Sequence, residues 1–212
     1  MQTSKLKSLE EKYIMQTYGR FDLAVSYGKG CYVFDKSGKK YLDFVGGIAT
    51  CSVGHGNKDV ARAIAEQAGK LLNITNLYYT EPQVELAEKL VGLSGLAKCF
   101  LCNSGTEANE AAIKLAIKTK KQHKFVAFAG AFHGRTMGSL AATHKDSYRK
   151  KYLPLEPKMV HVPFNNVKAL KKAVDARTAA VIIEPIQGEA GIVVPEKGFI
   201  ESVEGFAGKR KC

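Results

Sequence analysis

The chain has 212 residues, 45% hydrophobic and 25% charged, enough for one sizeable core or for one domain plus part of a second, and this composition excludes an intrinsically disordered chain. No apolar run could span a bilayer and the polar start MQTSKLKSLEEKY lacks the apolar centre of an export signal, so a cytoplasmic location is expected. The net charge of +12 raises the question of a nucleic-acid partner, but the lysines are dispersed, the densest run KTKKQHK falls where a helix should end, and no aromatic-glycine RNA-binding signature occurs, so none is expected.

In chain order, residues 13–60 read as a small β-rich unit. "CYVFDKSGKKYLDF" is a hairpin around Lys36-Ser37-Gly38, followed by the glycine-rich loop "VGGIATCSVGHGN". Helical spacing begins near Lys58 and runs to Leu72, with Val60, Ile64, Ala68 and Leu71 on one stripe. A second helix fits Pro82 to Leu93, with the proline in its first turn. Strands and helices then alternate: "KCFLCN" as a strand, Glu107 to Thr119 as a helix, "KFVAFAG" as a strand, Lys168 to Val174 as a short helix, and "TAAVIIEP" as a β-branched strand closed by Pro185. Alternation with near-continuous apolar strands predicts an α/β fold whose parallel sheet is covered on both faces.

The five cysteines are scattered, as in a protein with reduced thiols. Cys99 and Cys102 form a C-x-x-C, but on a strand residues three apart face opposite ways and no second ligand pair lies at zinc spacing, so no metal is expected.

"CNSGTEANEAAIKLA" carries the sharpest chemical signal. Ser104 and Glu107 form an S-x-x-E capping box ahead of an alanine-rich helix, and Gly105 leaves room for a ligand against the first free amides. A strand end, a glycine turn and a helix N-terminus make an anion site, usually for phosphate; plain helix capping is the alternative. Neither a G-x-x-x-x-G-K-[ST] loop nor a dinucleotide G-x-G-x-x-G is present. "FAGAFHGRTMGSLAAT" adds Phe132, a flat face for a ring, with His133 and Arg135, a fork for a carboxylate. "IIEPIQGEAGIVVP" adds Glu184 and Glu189 after another strand. An arginine and two carboxylates around a phosphate and a ring suit a zwitterionic, amino-acid-like substrate. Taken singly, Phe132 also fits a core residue, Arg135 a surface ion pair and Glu184 a solvated strand end.

Together with "YGRFDLAVSYGKGCYVFDKSGKKYLDFVGGIATCSVGHGN" and "TNLYYTEPQVELAEKL", these stretches resemble the class III (ornithine-type) pyridoxal-phosphate-dependent aminotransferases of fold type I, from Tyr18 to about Val203. "NLYYTEPQ" and "FHGRT" look most like acetylornithine aminotransferases, which pair N-acetylornithine with glutamate and 2-oxoglutarate in arginine biosynthesis. The resemblance implies an incomplete large-domain sheet over residues 58–203, an N-terminal segment of the small domain over residues 1–57, and an off-pattern tail over residues 204–212. It implies that Gly105 and Thr106 hold the phosphate of pyridoxal 5'-phosphate through amides and a hydroxyl, and that Phe132 stacks on the ring. Arg135 would pair with a substrate carboxylate, Glu184 and Glu189 would shape the substrate side, and Asn103, Ser104 and His133 would form a second layer.

The family's Schiff-base lysine and its D-E-x-Q aspartate lie beyond the matching segments, and no D-E-x-Q occurs in these residues. The expectation is therefore the N-terminal half of a homodimeric aminotransferase, truncated, with little or no activity and "TAAVIIEP" exposed as a sheet edge. Ornithine, succinylornithine and 4-aminobutyrate aminotransferases are alternatives within the class. A non-catalytic phosphate-binding remnant is the alternative outside it.

Overall fold

The computed structural model describes residues 3–210. The chain divides into two compact units, Met1–Val84 and Glu85–Cys212.

The first unit opens with α1 (Thr3–Tyr13) and an antiparallel meander of β1 (Val25–Lys29), β2 (Tyr32–Asp35) and β3 (Lys40–Leu42). The β2–β3 turn forms because Asp35 accepts from the Ser37 amide at 2.8 Å and the Lys39 amide at 3.0 Å, while Gly38 adopts φ +85°. Helix α2 (Lys58–Lys70) starts at Asn57, whose side chain accepts from the amides of Asp59 and Val60. The expected stripe of Val60, Ile64 and Leu71 lies on its surface, and no described residue before Ile113 is buried.

Helix α3 (Glu81–Ser94) leads into the second unit, followed by α4 (Gly105–Lys120), β4 (Lys124–Phe128), α5 (Met137–Ala142), α6 (Asp146–Arg149), β5 (Lys158–Val162), α7 (Val167–Ala173), β6 (Thr178–Val181) and α8 (Phe199–Arg210). The strands form a parallel sheet in the order β5-β4-β6. Central β4 is buried from Phe125 to Phe128 and packs both ways. Val126 and Phe128 join Val162, Leu170, Val174, Phe199 and Val203 on one face, whereas Phe125 meets Ile113 and Ala179 on the other. This is the parallel sheet covered on both faces that the apolar strands predict.

Two expectations about the elements change. "KCFLCN" is not a strand; residues 97–102 are irregular and Phe100 is 67% exposed. A strand exists through hydrogen bonds to a neighbour, and no described strand pairs with this one. Cys99 and Cys102 are accordingly exposed, not set on opposite faces of a buried strand. "TAAVIIEP" gives the four-residue edge strand β6, because its ladder to β4 ends at Val181. Residues 204–210 lie in α8. Strand β5 and helices α5 and α6 have no counterpart in the sequence reading.

Since β4 and β6 are parallel, the loops after them leave the same edge of the sheet. One carries Phe132, His133 and Arg135; the other carries Glu184 and Glu189.

Candidate functional site

Helix α4 begins as its sequence dictates. Ser104 Oγ accepts from the Glu107 amide at 3.3 Å. The return bond of the capping box is displaced by one residue: Glu107 accepts from the Asn103 amide at 2.7 Å and from its side-chain amide at 3.1 Å. Ser104 and Asn103 therefore shape the helix start. Among the described residues no hydrogen bond satisfies the amides of Gly105 and Thr106, and a Cβ built on Gly105 would meet open space. Two free donors at the positive end of a 16-residue helix, beside an unfilled glycine face, suit a phosphate ester.

The first two turns of α4 are stitched to the loop after β4. Asn109 Nδ2 donates to the His133 carbonyl at 2.7 Å, and Ser139 Oγ donates to the Thr106 carbonyl at 3.1 Å. Glu110 Oε1 accepts from Thr136 Oγ1 and from the Gly138 and Ser139 amides, neutralising the N-terminus of α5. Thr106 and Thr136 hydroxyls lie 2.7 Å apart. Thr136 spends its one proton on Glu110, so the Thr106 proton goes to Thr136. In this arrangement Thr106 offers an anion its amide, and its hydroxyl must rotate to help. Gly134 makes the junction possible: at φ +135°, a Cβ there would overlap Thr106 Oγ1 and lie 2.9 Å from Ser139 Cβ.

Glu184 joins the two sheet-edge loops. One oxygen accepts from the Phe132 amide at 2.6 Å and the other from the Gly188 amide at 3.0 Å. Buried Gln187 adds a bond from Nε2 to the Ala129 carbonyl at 2.9 Å. Glu184 thus acts on the backbone that presents Phe132. Glu189 and Phe132 line one cleft of about 380 Å³ with Gly130, Thr143, Lys145 and Tyr148. Arg135 is exposed and places its guanidinium over the Tyr148 ring, 4.0 Å from the centroid, and 5.7 Å from that of Phe132. His133 is buried; its amide donates to Thr143 Oγ1, and its Nε2 has no partner among the described residues. Burial holds its imidazole below the usual histidine range, against an opposing pull from Glu184, so the ring is neutral at pH 7.

The site residues read from the sequence thus gather around the sheet edge and the α4 N-terminus. Glu110, Thr136 and Tyr148 escaped that reading. The TEANE and GRT spacings carry the first two as ordinary helix and loop residues, and only tertiary packing gives them a task. Among the described residues no group of three or more His, Cys, Asp or Glu could hold a metal ion.

Comparison with known proteins gives this geometry a family. The aminotransferase class-III model matches residues 13–212. Acetylornithine aminotransferase of Archaeoglobus fulgidus is 51% identical over 195 residues, covering 92% of this chain and 52% of that protein. The acetylornithine aminotransferase of Methanocaldococcus jannaschii is 48% identical, covering 92% and 50%. Among solved structures, ornithine aminotransferase from Toxoplasma gondii superposes with a TM-score of 0.93 at 26% identity, covering 99% of this chain and 51% of that one. Acetylornithine aminotransferase from Elizabethkingia anophelis gives 0.80 at 28% identity, covering 100% and 51%. The chain spans about half the length of the curated relatives it matches. The fold, the gathered loops and the match over nearly all of its length make this chain a member of the class-III aminotransferases, a pyridoxal-phosphate-dependent family.

Proposed function

We propose that these residues form the phosphate- and ring-binding half of a pyridoxal 5'-phosphate site that serves amino-group transfer between N-acetylornithine and 2-oxoglutarate. The observation that carries this is the pair of free Gly105 and Thr106 amides at the α4 N-terminus, locked against the Phe132–Arg135 loop through Gly134. The relatives named acetylornithine aminotransferase support the choice of substrate over ornithine, succinylornithine or 4-aminobutyrate.

The cofactor supplies an aldehyde that accepts the amino group and a ring that takes up an electron pair. The chain's residues position it. The Gly105 and Thr106 amides hold the phosphate, and Phe132, its amide fixed by Glu184, offers its face to the ring. Arg135 holds a substrate carboxylate in a fork that a lysine could not supply. Glu189 lines the cleft beside Phe132 and borders the substrate. His133, neutral and buried, backs the ring-binding loop.

Residues 1–212 alone are proposed to bind but turn over little, since they contain no D-E-x-Q segment. The exposed apolar residues of α2 and α3, Val60, Ile64, Leu86 and Leu90 among them, support assembly as the family's homodimer. A cytoplasmic enzyme is proposed; no described helix is long and apolar enough to cross a membrane. The test is incubation with pyridoxal phosphate, borohydride reduction and peptide mapping, beside an assay with N-acetylornithine and 2-oxoglutarate. Scattered labelling with negligible turnover is expected. One stoichiometric lysine adduct with turnover would overturn the low-activity part of the proposal.

A further inference from the structure

We infer that Tyr148 is a positioning residue for Arg135, holding its guanidinium ready for a substrate carboxylate. The inference rests on the carboxylate role proposed for Arg135.

Arg135 is exposed, and a long charged side chain at the surface samples many rotamers. Using it as a carboxylate fork requires ordering it, and that cost is subtracted from affinity unless the free protein has already met it. Tyr148 supplies the means. The Arg135 Cζ lies 4.0 Å from the Tyr148 ring centroid, close enough for guanidinium-on-ring stacking. Stacking engages the flat face of the guanidinium, and a carboxylate pairs with it in its plane. Tyr148 also meets Phe132 edge-on, with centroids 6.2 Å apart and planes at 82°. One ring therefore braces the residue proposed to stack on the cofactor and the residue proposed to bind substrate, which fixes their spacing.

Tyr148 is itself held. Its ring packs on the buried cluster of Leu140, Ala141 and Leu155. The next residue, Arg149, donates from Nη1 to His161 Nδ1 on β5 at 3.1 Å. With Nδ1 accepting, His161 Nε2 carries the proton and donates to the Ala142 carbonyl at 3.0 Å. Short helix α6 is thus pinned to β5 and to the end of α5, and the platform under Arg135 belongs to the core. Lys145 also approaches the Tyr148 ring, 4.9 Å from its centroid. Its charge adds to the positive potential there, but an ammonium offers no planar fork.

The probe is 2-oxoglutarate, titrated by calorimetry into the purified chain, with the Arg135 Nε–H followed by NMR and assigned through its loss in Arg135→Gln. In the wild type that proton should be shifted upfield by the Tyr148 ring. Tyr148→Phe, which keeps the ring, should retain the shift and bind within about twofold of wild type. Tyr148→Leu should lose the shift and weaken binding about three- to tenfold, the range expected of a partly exposed cation–π contact. Arg135→Gln should weaken it at least as much. Loss of affinity in Arg135→Gln with none in Tyr148→Leu would overturn the positioning role alone. Unchanged affinity in Arg135→Gln would overturn the carboxylate reading and the inference with it. An unshifted Arg135 Nε–H in the wild type would overturn the stack without recourse to any Tyr148 variant.

Discussion

Replacing Gly134 by alanine separates the backbone role of a glycine from mere tolerance of one. At φ +135° a side chain is strained by about 1–3 kcal/mol. The new Cβ would also overlap Thr106 Oγ1, lie 2.7 Å from Thr106 Cβ and 2.9 Å from Ser139 Cβ, where ordinary contact begins at 3.4 Å. Ser139 is fully buried, so it has little room to give, and overpacking of this kind adds about 1–3 kcal/mol. The expected loss is about 2–6 kcal/mol, a large fraction of the 5–15 kcal/mol typical of a whole domain. Gly105→Ala is the contrast. Its Cβ meets nothing within 4 Å and its φ is not positive, so stability should change by no more than about 1 kcal/mol, in the stabilising direction. That same methyl occupies the face where an anion would approach, so affinity for a phosphate ester should fall about tenfold or more. Urea denaturation followed by circular dichroism reads the first quantity and calorimetric titration the second. A Gly134→Ala chain with the wild-type midpoint, or a Gly105→Ala chain that binds phosphate esters normally, would refute the reasoning.

Other perturbations test the scaffold. Glu184→Ala removes the acceptor of two loop amides and should cost about 2–4 kcal/mol, with Glu184→Gln about half as severe because one oxygen remains. Hydrogen exchange should then accelerate at Phe132 and Gly188, and unchanged exchange there would contradict the clamp. Phe128→Ala opens a cavity among Phe164, Phe199 and Leu170 and should cost about 3–5 kcal/mol in the same denaturation assay. His133 and His161 are both held below the usual histidine range, burial being the largest cause for each. The unfolded chain therefore binds more protons than the folded one once the pH drops below about 6.5, and their contribution, complete above that value, is lost as the pH falls through the folded values. The urea midpoint should decline from pH 7.5 to 5.5. A flat profile would contradict neutral buried imidazoles, since Asp43 and Asp175, both depressed, act only below the carboxylate range.

Where local chemistry decides, the sequence was readable. Ser104 and Glu107 announce a helix start, the spacing from Lys58 announces α2, and the Phe125–Phe128 run is apolar because it lies between two covered faces. Where the outcome depends on a partner strand, sequence misleads. "KCFLCN" has strong β character yet pairs with nothing described, and "KMVHV", with a lysine and a histidine, becomes β5 because β4 offers it a parallel ladder. At the site, Phe132, Arg135 and the Gly105 corner stand out in the sequence because ring stacking, carboxylate pairing and anion capping each suit a residue type. Glu184 also accepts from two loop amides, a role no one-dimensional spacing encodes. Tyr148 and Glu110 act on residues far from them in sequence, and their types suit many other positions.

The central claim is that the start of α4 holds a phosphate ester beside Phe132. Its most direct test is titration of the amide-resolved NMR spectrum with pyridoxine 5'-phosphate, which has no aldehyde to react with surface lysines, against pyridoxine as the control. The account predicts that the phosphorylated compound alone shifts the Gly105 and Thr106 amides at saturable concentrations, together with ring-current shifts at Phe132. Equal binding of the two compounds, or shifts confined to surface lysines with Gly105 and Thr106 unmoved, would contradict it.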